Sequence, residues 1–251
     1  MPYARDLYYR DLGAGGPPIV ALHGGWGYEF YPFDDAIAGI ARRFVIPDRS
    51  GYGKSPPRTS LPPRFHQLYA DETTALLDAL AIDRCVLWGH SDGAVIAANL
   101  AIRDPARYAG IVVEAIHLDR EKPRSRQFFE TMARDPDKFG AGVTKKFAAE
   151  HGESWRTIIR ADGEAWLHIA AHPDDDLYDN RLHELAVPML VLHGADDPRT
   201  EPGELDRIRR DVPHAEIHML PGAGHSPHSE RGSAATCTAI VARWLDVLGM
   251  A

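Results

Sequence analysis

Cysteine is scarce: Cys85 and Cys237 are the only two in 251 residues, too few for a disulfide framework. Cys85 stands in the run Cys85-Val86-Leu87-Trp88, where a reduced thiol packs as a small hydrophobe. Long apolar runs are missing too. None approaches the ~18 residues a membrane span needs, so no membrane association is expected. Met1 to Asp11 alternates charges with tyrosines around no apolar centre, which predicts no secretory leader and a soluble, cytoplasmic chain. Positive charge is in short supply: 28 Lys+Arg stand against 36 Asp+Glu, a formal −8. That balance is wrong for a sequence-independent nucleic-acid binder. A small-molecule substrate is the partner these absences leave, with a homodimer allowed. What is present, 44% hydrophobic and 25% charged residues, suits a single core with room for an inserted subdomain.

Short apolar runs bounded by turn residues alternate with stretches of helical period. The runs cover residues 19–22, 44–46, 85–88, 111–113, 188–192 and 215–220. Most lack polar alternation, as parallel strands buried on both faces do; the last alternates, as expected nearer a sheet edge. Helical period covers 65–81, 94–103, 201–211 and 233–248, and residues 7–10 predict an antiparallel edge hairpin. The pattern is α/β, with a mostly parallel sheet flanked by helices. Between Ile116 and Leu185 it breaks. Amphipathic stretches at 125–134, 138–150 and 153–171 predict an inserted helical cap there. The core then comprises residues 1–115 and 186–251, and the cap residues 116–185.

The sharpest motif follows the run at 85–88: Gly89-His90-Ser91-Asp92-Gly93, a G-x-S-x-G pattern. A serine on a tight strand-to-helix turn projects its hydroxyl above the sheet, and small flanking residues make room for that turn. A hydroxyl attacks only when a base takes its proton. Among thirteen histidines, the candidate base is His225, in the glycine-rich Pro221-Gly222-Ala223-Gly224-His225 after the last strand. His228 fits a supporting place behind it, and His23 and His90 fit hydrogen-bonding roles within their loops. The imidazole needs a carboxylate to fix its tautomer. Asp197, in Gly194-Ala195-Asp196-Asp197-Pro198 at a strand's carboxyl end, is preferred to its neighbour Asp196. Two oxyanion donors are also required. The Asp92 backbone N–H lies at the turn itself. For the second donor Gly25 N–H, in His23-Gly24-Gly25-Trp26-Gly27, is chosen ahead of Trp26.

Together with Asp48-Arg49-Ser50-Gly51-Tyr52-Gly53-Lys54-Ser55, these motifs resemble the α/β-hydrolase superfamily over nearly the whole chain. The resemblance implies Ser91 as nucleophile, Asp197 as acid, His225 as base, and Gly25 and Asp92 as oxyanion donors. Serine at the elbow argues against the haloalkane dehalogenase and epoxide hydrolase branches, which carry aspartate there. The Ser-Asp-Gly elbow is similar to that of valacyclovir hydrolase-like members, in which this aspartate receives a substrate ammonium. The competing role for Asp92 is pairing within the protein, with an arginine.

Aromatic residues Trp26, Phe30, Tyr31 and Phe33, with Trp155 and Trp166 from the cap, are expected to line an apolar acyl pocket. Substrate contact is assigned to Trp26, Asp92, Trp155 and Trp166. The contiguous Asp174-Asp175-Asp176 reads as a solvated loop, and neither metal nor cofactor is expected. The expected activity is cleavage of a small carboxylic ester or lactone through an acyl-enzyme. The alternatives are a dienoate-type C–C bond hydrolase, an aminoacyl-ester hydrolase and a non-catalytic ligand receptor.

Overall fold

Every residue of β3 (Ile19–Leu22), β4 (Phe44–Pro47), β5 (Cys85–His90) and β7 (Met189–Gly194) is buried, as unalternating apolar strands demand. The computed structural model describes residues 3–249. With β1 (Tyr3–Ala4), β2 (Leu7–Leu12), β6 (Tyr108–Glu114) and β8 (Glu216–Leu220), these strands form one sheet in the order β1-β2-β4-β3-β5-β6-β7-β8. From β4 to β8 all pairings are parallel; β1–β2 and β2–β4 are antiparallel. Strand β8 lies at the edge as its alternation predicted, but its burial does not alternate: Met219 is exposed and only Leu220 is fully buried.

Side chains leave successive strand positions on opposite faces. Val86 and Trp88 join Ile40, Val241 and Trp244, beside α1 (Asp34–Gly39) and α8 (Ala234–Val247). Cys85 and Leu87 join Tyr69, Leu77, Val95 and Leu100 of α2 (Phe65–Ala79) and α3 (Asp92–Arg103). The short α1 is not legible in helical period. Expected helix ends move where the backbone forbids continuation. Ala81 is left-handed (φ 52°) beyond α2, and Gly203 (φ 90°) after Pro202 delays α7 (Glu204–Asp211) past the expected start at 201.

Between β6 and β7 come α4 (Arg126–Arg134), α5 (Ala141–His151) and α6 (Trp155–Ala170), close to the three amphipathic stretches. Helices α4 and α6 pack closely because α6 carries Gly163, where a Cβ would overlap the Ala133 amide and Met132. Phe129 stacks on Trp166 at 5.1 Å, and both join the apolar cluster of α2 and α3. These inserted helices therefore close over the carboxyl end of the sheet's centre.

Candidate active site

Ser91 stands between the end of β5 and the start of α3 at φ 54°, ψ −117°, a conformation that costs backbone strain in a non-glycine residue. The turn is tight enough that a Cβ at Gly93 would overlap the Leu22 carbonyl oxygen, which explains the glycine there. The Ser91 amide donates to Glu114 O at 2.9 Å, tying the turn to the neighbouring strand.

Asp197 and His225 come together from the loops after β7 and β8. His225 Nδ1 lies 3.0 Å from both Asp197 carboxylate oxygens. A carboxylate only accepts, so Nδ1 carries the proton and Nε2 keeps a free lone pair. That Nε2 is buried and has no partner among the described residues. Asp197 also accepts from the Arg199 amide at 2.8 Å and from Thr200 Oγ1 at 3.1 Å. Burial pushes its carboxyl up, but the His225 hydrogen bond and charge outweigh this and hold it well below the usual range. Burial, then the Arg199 guanidinium, lowers His225 against the opposing pull of Asp197. The imidazole is thus neutral at pH 7. Its neighbour Asp196 is exposed.

The expected line from hydroxyl to imidazole to carboxylate is present only in its second half. Ser91 Oγ makes its hydrogen bond with His117 Nε2 at 3.1 Å, not with His225. His117 follows β6, and Tyr178 Oη donates to its carbonyl oxygen at 2.6 Å, pinning that loop over the serine. The His117 ring stacks near His225 with centroids 5.9 Å apart. Burial holds His117 well below its ordinary pKa. Nothing in the motif grammar marks His117; it is an isolated histidine after an apolar strand.

Gly25 and the Asp92 amide flank Ser91, and neither N–H has a protein acceptor among the described residues. The Asp92 side chain, by contrast, is engaged. Its Oδ1 accepts from Trp166 Nε1 at 3.0 Å and His66 Nε2 at 3.2 Å, and its Oδ2 lies 3.6 Å from buried Arg49. Pairing within the protein is therefore its observed state. Trp26 and Trp166 line the cavity at Ser91, with Tyr31, Phe128 and Met132. Trp155 does not: it is buried against Phe147 at 5.3 Å, because its place on α6 turns it to α5. Phe33 stacks on His228 at 4.2 Å on the opposite face of the sheet, and Phe30 packs on Phe147. The cavity measures only about 20 Å3, room for about one water. A roomier hollow of about 410 Å3 beside Asp174 and Arg207 is open to solvent and carries no nucleophile.

The flanking histidines serve the loops. His90 Nε2 meets the His225 carbonyl at 3.1 Å and Ser226 Oγ at 2.9 Å, while His23 Nε2 accepts from the Arg49 amide at 3.3 Å. His228 places Nδ1 2.7 Å from Glu114 and Nε2 2.9 Å from the Tyr31 carbonyl. With an acceptor at each nitrogen it is an imidazolium, and Glu114 raises its pKa against the effect of burial.

This fold and elbow define an α/β hydrolase, and the chain belongs to the alpha/beta hydrolase family, whose model matches residues 19–239. It is similar to serine hydrolase BPHL of Homo sapiens, 26% identical over 238 residues, covering 89% of this chain and 78% of that protein. It is also similar to a 2-hydroxy-6-oxononadienedioate/2-hydroxy-6-oxononatrienedioate hydrolase of Paraburkholderia phymatum, 26% identical over 263 residues, covering 90% and 87%. Among solved structures, a thermophilic esterase from Thermogutta terrifontis superposes with a TM-score of 0.72 at 22% identity, covering 96% and 93%. The last likeness concerns fold alone.

Proposed function

We propose that the protein is a serine hydrolase that cleaves a small carboxylic ester or lactone through an acyl-enzyme on Ser91. One observation carries this reading: a buried imidazole, oriented by Asp197, keeps Nε2 unpartnered among the described residues, and its ring centroid lies 5.9 Å from that of His117, which holds the hydroxyl of the strained Ser91. A χ1 rotation of Ser91 transfers its hydroxyl from His117 to His225, which takes the proton as oxygen attacks the carbonyl carbon. The Gly25 and Asp92 amides receive the oxyanion. His225 then protonates the leaving alcohol, activates water, and the ester bond to Ser91 is hydrolysed. No step calls for a metal or cofactor.

Residues 116–185 serve as the cap in this reading. Phe128, Met132 and Trp166 close a site too small for any ester, so substrate entry requires α4 and α6 to shift. Two unpaired, buried thiols, Cys85 and Cys237, support a reducing compartment such as the cytoplasm.

Ser91→Ala is expected to abolish p-nitrophenyl ester turnover while leaving the thermal unfolding midpoint nearly unchanged. Residual activity within about tenfold of wild type refutes the nucleophile assignment. A fluorophosphonate probe should label Ser91 alone. Turnover of a vinylogous diketone without esterase activity would favour carbon–carbon cleavage instead, and ligand binding without product a receptor.

A further inference from the structure

We infer that Thr200 and His193 are positioning residues for the reaction at Ser91, because they fix the Asp197 carboxylate that orients His225. They extend the Asp197–His225 pair into a hydrogen-bonded run of four side chains. The inference rests on the serine-hydrolase reading for its chemistry and on the hydrogen bonds behind Asp197 for its geometry.

Asp197 offers His225 both carboxylate oxygens, each 3.0 Å from Nδ1. A proton shared in this way lets the carboxylate pivot unless other donors hold it. One such donor stands on each oxygen: the Arg199 amide on Oδ1 at 2.8 Å, and the Thr200 hydroxyl on Oδ2 at 3.1 Å. The first belongs to the backbone. The second depends on where Thr200 sends its only hydroxyl proton, and His193 settles that. Its Nε2 lies 2.9 Å from Thr200 Oγ1. Asp197 only accepts, so the Thr200 proton goes to Oδ2 and the hydroxyl oxygen accepts from His193.

The His193 imidazole therefore carries its proton on Nε2, while its buried Nδ1 has no partner among the described residues. His193 is 3% exposed near the end of β7. Burial, aided by Lys122, lowers its pKa against the pull of Asp197 and Glu204, so it is neutral at pH 7. One tautomer then sets the direction of the whole run. Neither His193 nor Thr200 borders the cavity at Ser91; both line, with Asp197, a separate hollow of about 370 Å3. They touch no reacting atom and act through Asp197. Loss of the Thr200 donor has two consequences. The carboxylate turns about its Oδ1 bond and takes His225 with it, which slows proton transfer. Its charge, shared with one donor fewer, also falls more fully on His225 and raises the imidazole pKa.

The test is Thr200→Val, which keeps the side chain's shape and removes the donor. On p-nitrophenyl butyrate kcat should fall roughly tenfold, the worth of a hydrogen bond to a charged group, with KM nearly unchanged. The acid limb of kcat/KM should move to higher pH, and Thr200→Ser should restore both. His193→Leu should lower kcat too. Thr200→Val/His193→Leu should be no worse than Thr200→Val alone, because His193 acts only through the hydroxyl. Wild-type kcat in Thr200→Val, a loss without movement of the limb, or additive losses in the double variant overturns the inference. A spectroscopic arm is independent of turnover. The downfield proton resonance of His225 Nδ1, assigned by its loss in His225→Gln, should shift in Thr200→Val and return in Thr200→Ser. A resonance that stays put sinks the inference while fluorophosphonate labelling of Ser91 still stands. A shifted resonance with Ser91 unlabelled keeps the hold on Asp197 and sinks the hydrolase reading alone.

Discussion

His225 sits where two opposing charges meet. Asp197 at 3.0 Å favours the imidazolium that the proposed acyl transfer would form, while burial and Arg199 disfavour it in the resting protein. The balance lowers its pKa, so the acid limb of kcat/KM should fall below pH 6.5, with activity retained as pH drops toward that value. Arg199→Met removes a repelling charge and should move the limb upward. A limb that stays put in a pH-rate series would show that burial alone sets it. Ser91 and His117 illustrate a second resting-state choice. The hydroxyl is held by His117, while the proposed base His225 keeps its Nε2 lone pair free.

At the scale of elements, the loop that carries His225 is anchored below by an ion pair. His228 and Glu114 are both fully enclosed, and Glu114 also accepts from Trp88 Nε1 at 2.8 Å, so its second oxygen is satisfied too. Buried pairs of this kind stabilise only when every polar atom has a partner, and here each one does. The loop's position is thereby tied to β5 and β6. The inserted helices act from the other side. Met132 of α4 borders the cavity at the point where Gly163 brings α6 closest. Met132→Ala should widen the acyl site and shift preference toward longer chains. The kcat/KM ratio of p-nitrophenyl hexanoate to butyrate should rise on the order of tenfold, since methylene discrimination is worth ~1–3 kcal/mol. An unchanged ratio would mean that chain length is set elsewhere.

At the scale of the whole molecule, Glu150 ties stability to pH. It lies in the last turn of α5 against the loop after β3, accepting the Glu29 amide at 3.1 Å with Oε1 while Oε2 finds no hydrogen-bond partner among the described residues. Burial raises its pKa to about 8. The folded chain then binds a proton that the unfolded chain releases near pH 4.5, so stability is lost as pH rises from about 4.5 through about 8. Glu150→Gln should flatten that loss. Thermal midpoints of variant and wild type should diverge, in the variant's favour, between pH 5 and pH 9; parallel curves would show that Glu150 stays ionised.

The strands, the turn that carries Ser91 and the two loops that carry Asp197 and His225 were legible along the chain because each depends on near neighbours. Glycines at 89 and 93 mark a turn that only small residues permit, and unbroken apolar runs mark strands covered on both sides. The three inserted helices showed in their period; the six-residue α1 did not, having too few turns to show one. What tertiary structure alone decided is which polar groups find partners. Ser91 meets His117 across 26 residues, Asp92 meets Trp166 across 74, and Asp162 Oδ1 is buried without a hydrogen-bond partner among the described residues. Local pattern encodes which face of an element is apolar. The charge balance of a buried site is the sum over groups that only packing brings within a few ångströms, and no stretch of sequence contains that sum.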